Sequence, residues 1–159
     1  MKFLASKKLS DNSVMRAIIL GMLLSLILAM VLSLSAKGID YGVSPNEWIN
    51  TVLGNEAEFI DPMSFNDLLL GIHTDLFGLI ITFILIASVT VRRGHSRIIM
   101  IGFLTLSLLS LLAYPIGMLF SSMIGSFGVL LSLGGFIVFH LLMIMGGLDS
   151  LIGLLRKKF

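Results

Sequence analysis

Polar and apolar positions along this chain fall into long blocks, not short periods. Four blocks are apolar over about 20 residues or more, the length a helix needs to cross the hydrocarbon core of a bilayer. They cover residues 14–36, 68–91, 98–120, and 125 to either 147 or 155. A polar segment, 37–67, separates the first two. The other links are the short stretches "RRGHSR" and "SSMIG". The pattern predicts an all-α fold in one domain, 1–159: an up-down four-helix membrane bundle, because short links favour antiparallel neighbours. The first apolar run is longer than the core of a secretion signal, so it is expected to be a retained helix.

Small residues recur inside each block at helical spacing. The first carries Ala17, Gly21, Ser25, Ala29 and Ser33. The second carries Gly71, Asp75, Gly78 and Thr82. The third carries Ser107, Ser110, Tyr114, Gly117 and Ser121, and the fourth Gly125, Gly128, Ser132, Gly135 and Gly146. Helices in lipid associate by close packing at such faces, so each stripe predicts a seam. Pro115 predicts a kink near one end of the third helix.

The 37–67 segment carries its own helix signals. Ser44, Pro45 and Glu47 place a cap, a first-turn proline and a capping-box acid in the required order. That helix should end at Gly54. Trp48, Val52 and Leu53 form its apolar edge, which suits an amphipathic cap with the tryptophan at the membrane–water interface. Ser64 and Asp67 mark the start of the second span. The acids Asp40, Glu47, Glu56, Glu58, Asp61 and Asp67 do not follow the spacing of a calcium loop. They read as a solvated face.

Composition agrees with the block pattern. The chain is 57% hydrophobic and only 13% charged, against about a quarter charged in soluble domains. Its mean hydropathy is +1.05. There is no cysteine, which excludes disulfides, thiolate metal sites and thiol redox chemistry. Ten of the eleven basic residues fall on one side of a four-span topology: Lys2, Lys7, Lys8, Arg16, Arg92, Arg93, Arg97, Arg156, Lys157 and Lys158. Lys37 is the exception. The positive-inside bias therefore predicts cytoplasmic termini and an external 37–67 cap, in the cytoplasmic (inner) membrane. Basic residues placed by topology give no reason to expect nucleic-acid binding. Transport is not indicated either, since no internal repeat or pair of broken helices is evident.

The stretches "YGVSP", "GNEAEF", "PMSFNDLL" and "HTDLF", together spanning about residues 40–80, resemble a set of uncharacterised bacterial multi-span inner-membrane proteins. Those proteins share a GNE-like triplet, a P-x-S-F-x-x-L-L stretch and a span opening on H-x-H-L-F. The resemblance implies a multi-pass membrane protein. Asp75 stands at the position of the second histidine, so any ligand site built on that pair would be altered here.

Ionisable groups inside spans are costly and are candidate functional sites by default. His73, Asp75, His140 and Asp149 are the ones to weigh. His73 and Asp75 are two residues apart and serve different helix faces. Asp75 lies on the small-residue face, with Tyr114 or the serines of the third span as its natural partners, or else a protonated carboxyl bonded to a backbone carbonyl. His73 and His140 are candidate axial ligands for a b-type haem held within the bundle. Depth matters: at 1.5 Å per residue, His73 lies about 27 Å from the inner end of its span. His140 lies at about 22 Å if the fourth span ends at Leu155, but only about 10 Å if it ends at Gly147. Asp149 would sit six residues inside the longer helix, needing Arg97 or Arg16 as partner, so the shorter span is expected. His95 reads as a solvated loop residue. No catalytic residues are nominated, and scattered acids with few histidines are thin for a metal site. Two functions remain open. One is a small membrane subunit or scaffold that packs against partner membrane proteins or a second copy, without catalysis. The other is a haem- or quinone-binding redox protein using His73 and His140.

Overall fold

The fold is described by a computed structural model over residues 13–156. Lys2, Lys7, Lys8, Lys157 and Lys158 lie outside the described residues. Six α-helices follow in order: α1 (Ser13–Tyr41), α2 (Pro45–Leu53), α3 (Phe65–Val91), α4 (Arg97–Leu119), α5 (Ser121–Ile124) and α6 (Ser126–Leu155). One 3-10 turn, Glu56–Glu58, lies between α2 and α3. Four of the helices (α1, α3, α4 and α6) are long and apolar enough to cross a membrane.

Local signals set the boundaries. The Ser44 hydroxyl accepts from the Glu47 amide, and the Glu47 carboxylate accepts from the amides of Val43 and Ser44 at 2.7 and 2.9 Å. That reciprocal box satisfies donors that the start of α2 would otherwise leave bare. Two glycines are required by backbone shape. Gly42 (φ 94°) joins α1 to α2, and Gly54 (φ 81°) closes α2, where a Cβ would sit 2.8 Å from the Pro62 nitrogen. Ser64 and Ser96 cap α3 and α4 through the amides of Asp67 and Ile99.

The central element is α6, which packs on every other helix and most extensively on α4. The reason is the glycine seam. A Cβ at Gly117 would stand 2.5 Å from the Gly128 carbonyl, and one at Gly135 would stand 2.8 Å from the Ser110 carbonyl. The two backbones are therefore in direct contact along an antiparallel pair, the arrangement small residues permit. The expected faces of α4 and α6 are both used. Ser107, Ser110, Tyr114, Gly117 and Ser121 are buried, as are Gly128, Ser132, Gly135 and Gly146. The hydroxyls of Ser107 and Ser132 are enclosed without a hydrogen-bond partner.

The other seams depart from expectation. On α1 the buried residues are Leu23, Met30, Lys37 and Tyr41. Ala17, Gly21, Ser25 and Ala29 are exposed, and nothing lies within 4 Å of a Cβ at Gly21. Larger side chains make the contact to α6 instead, with Ile27 filling the space over Gly147. On α3, Thr82 is buried and Gly71 partly so, but Gly78 faces outward. Trp48 also differs: it is buried against the bundle, 3% exposed, not spread at an interface.

Candidate functional site

The strongest concentration of polar chemistry lies beneath α2, at the capped end of the bundle. Lys37 comes from the last turns of α1, Asp75 from the third turn of α3, and Tyr114 from the α4 face that meets α6. The Lys37 ammonium lies 2.8 Å from the Asp75 carboxylate, with the two side chains 11% and 18% exposed. The Tyr114 hydroxyl donates a second hydrogen bond to the same carboxylate. Asp75 therefore has both a counter-charge and a neutral donor. Polar groups enclosed this far from water are costly unless such partners are present.

Aromatic rings wall this cluster. The Lys37 ammonium sits 4.7 Å from the centre of the Tyr41 ring, within cation–π range. Tyr41 stacks on Trp48 at 4.7 Å, and Trp48 approaches Phe136 at 6.1 Å. The Trp48 indole donates to the Gly42 carbonyl at 2.9 Å, fixing α2 to the end of α1. Outside the spans, the capping hydrogen bonds hold the Glu47 carboxyl below its ordinary value. A cleft of about 200 Å³ opens beside the lysine, lined by Leu34, Lys37, Trp48 and Phe136 among others.

His140 lies one layer deeper and is fully buried. Its ring contacts Phe136 at 4.0 Å between centres. Nδ1 lies 2.8 Å from the Phe136 carbonyl and Nε2 lies 3.1 Å from the Ser33 hydroxyl. A carbonyl only accepts, so Nδ1 carries the proton, and in the neutral ring Nε2 accepts from Ser33. Both nitrogens are thus engaged. His73 is exposed on the outer surface of α3. The helix α6 runs unbroken to Leu155, so the longer form of the fourth apolar segment is the one observed. The two histidines meet neither the depth nor the facing condition for a shared haem: with Thr90 level with Ser150, His140 stands seven residues, roughly 10 Å, further along the bundle than His73. One points away from the bundle, and the other is held inside it.

At the opposite end, Asp149 is the reason α6 can continue. Its carboxylate pairs with Arg93, and with His95 at 2.7 Å. Arg93 also donates to the Asp149 carbonyl. The expected partners, Arg97 or Arg16, are not the ones used, and His95 is not merely solvated. The α3–α4 turn reaches α6 more directly, because Thr90 and Ser150 already join those helices at 3.0 Å. Among the described residues, no group of three or more His, Cys, Asp or Glu side chains could hold a metal ion.

Sequence reasoning singled out Asp75 and named Tyr114 among its candidate partners, and Tyr114 is the one found. It treated Lys37 only as an exception to the charge bias. That exception was the available signal: a lone basic residue at the end of an apolar helix needs an acid, and Asp75 is the nearest acid within a span. Comparison with family models, with curated proteins and with solved structures finds no match for this chain.

Proposed function

We propose that this protein is a small multi-pass subunit or scaffold of the cytoplasmic membrane, with both ends in the cytoplasm, that packs against partner membrane helices and performs no catalysis of its own. The observation that carries this reading is the direction of the α1 stripe. Ala17, Gly21, Ser25 and Ala29 lie on the helix face opposite Leu23, Met30 and Lys37. Such a row lets another backbone approach closely, as the α4–α6 seam does inside this same molecule. The bundle uses only the last member of the stripe, Ser33, which bonds His140, and leaves these four uncovered. The Lys37–Asp75–Tyr114 cluster fits a structural role: it ties α1, α3 and α4 together at one end.

The test is assembly in a gentle detergent. Gly21→Leu or Ser25→Leu should reduce a larger complex to the 17.3 kDa chain without lowering its thermal stability. A wild-type chain that is already monomeric, with a mass unaltered by either substitution, would contradict the proposal. The haem or quinone alternative has less support, since His140 would first have to release Ser33. A reduced-minus-oxidised visible spectrum of the purified protein addresses it directly.

A further inference from the structure

A furrow runs between α3 and α4 on the outside of the bundle, at the end carrying Arg93. Its volume is about 620 Å³, within the range of about 300–1,000 Å³ typical of small-molecule sites. Phe83, Ala87 and Ser88 form one wall, and Leu104 and Leu108 form the other. The furrow arises because α4 is drawn onto α6 by its glycine seam. The short side chains of Ala87 and Ser88 then leave the gap beside α3 unfilled. Arg92 lines its mouth and is exposed. Among the described residues Arg92 makes no ion pair, whereas its neighbour Arg93 is held by Asp149.

We propose that this furrow binds one anionic glycerophospholipid, its acyl chain along the apolar walls and its phosphate headgroup on Arg92. The inference depends on the membrane-spanning reading of α3 and α4, not on the scaffold role. Dimensions support it. From Phe83 to Arg92 the furrow descends about 13 Å at 1.5 Å per residue, close to the roughly 15 Å hydrocarbon depth of one leaflet. Charge supports it too. A guanidinium at the edge of the hydrocarbon matches a phosphate geometrically and electrostatically. A docked partner helix would cover the apolar walls, but it would need its own acid opposite Arg92.

The experiment is native mass spectrometry of the full-length protein in detergent. It is titrated with phosphatidylglycerol or phosphatidylcholine of identical acyl chains. One basic residue at a membrane surface is worth about fivefold in affinity, so wild type should retain phosphatidylglycerol by roughly that factor. Arg92→Gln should abolish the preference while leaving weak binding of both lipids. Ser88→Trp, at an exposed wall position, should displace both, with helix content unchanged by circular dichroism. Arg156→Gln, at another exposed arginine, should change nothing. Equal retention of the two lipids by wild type would overturn the proposal. So would an equal loss of preference in Arg156→Gln and Arg92→Gln, or a Ser88→Trp variant that loses a protein partner and keeps its lipid.

Discussion

Lys37, near the end of α1, and Asp75, in the third turn of α3, hold one another 2.8 Å apart in a setting where both side chains are largely buried. Each is the compensation for the other. Removing one partner leaves an uncompensated charge, which costs about 3 kcal/mol or somewhat more. Replacing both with apolar residues removes the need for compensation. Lys37→Met and Asp75→Leu should therefore each destabilise the protein strongly, and the double variant should lose less than either single one. Denaturant titration of the three variants in detergent measures this, and losses that simply add would rule out the coupling.

The α4–α6 seam predicts opposite outcomes at adjacent residues. Gly135 meets the α4 backbone, while Gly134 has nothing within 4 Å of a built Cβ. Gly135→Ala should cost about 1–3 kcal/mol through overpacking. Gly134→Ala should be neutral or slightly stabilising, because alanine favours the helix. Equal thermal shifts in the two variants would contradict the backbone contact described for this pair.

Two enclosed hydroxyls suggest a stabilising change. Ser107 and Ser132 keep their oxygens buried without a partner, a state that costs about 1–3 kcal/mol per group. Ser132→Ala and Ser107→Ala keep the small size the seam requires and remove that cost. Each should raise the melting temperature. A fall in both would show that the hydroxyls are bonded in the membrane.

Glu47 gives α2 a pH dependence. Its carboxyl is held below the ordinary value of 4.5 by the amides of Ser44 and Val43 and the Ser44 hydroxyl. The folded state therefore gains stability that is fully present above 4.5 and is lost as pH falls through the lowered value. Trp48, on the buried face of α2, reports the change. Its emission should shift to longer wavelength on acidification below pH 4.5, and Glu47→Ala should show that shift already at neutral pH. An emission maximum independent of both pH and the substitution would contradict the capping account.

Much of the fold was legible because membrane helices announce themselves by length. The observed starts and ends of α1, α3 and α4 lie within a few residues of the apolar blocks, except that α1 continues through Lys37 to Tyr41. The α2 cap followed from Ser44, Pro45 and Glu47, since capping chemistry is local. What was not legible depended on distant parts of the chain. Small residues on α1 and on α4 look alike in sequence, yet only those on α4 and α6 meet. Which stripe is used depends on what the facing helix presents, and α6 presents Gly147 to Ile27 rather than to Gly21. Asp149 misled in the same way. Read locally it argued for a short fourth helix, but Arg93 and His95 compensate it from a turn far away in sequence.

The absence of cysteine makes the central claim directly testable, because each introduced thiol is the only one in the chain. The decisive measurement is cross-linking of single-cysteine variants in native membranes: Gly21→Cys and Ser25→Cys on α1, against Leu141→Cys on the exposed side of α6. The scaffold account predicts a discrete cross-linked species of higher mass at residues 21 and 25 and none at residue 141. Monomer alone at both α1 positions, with the thiols fully reactive toward a small maleimide, would contradict it.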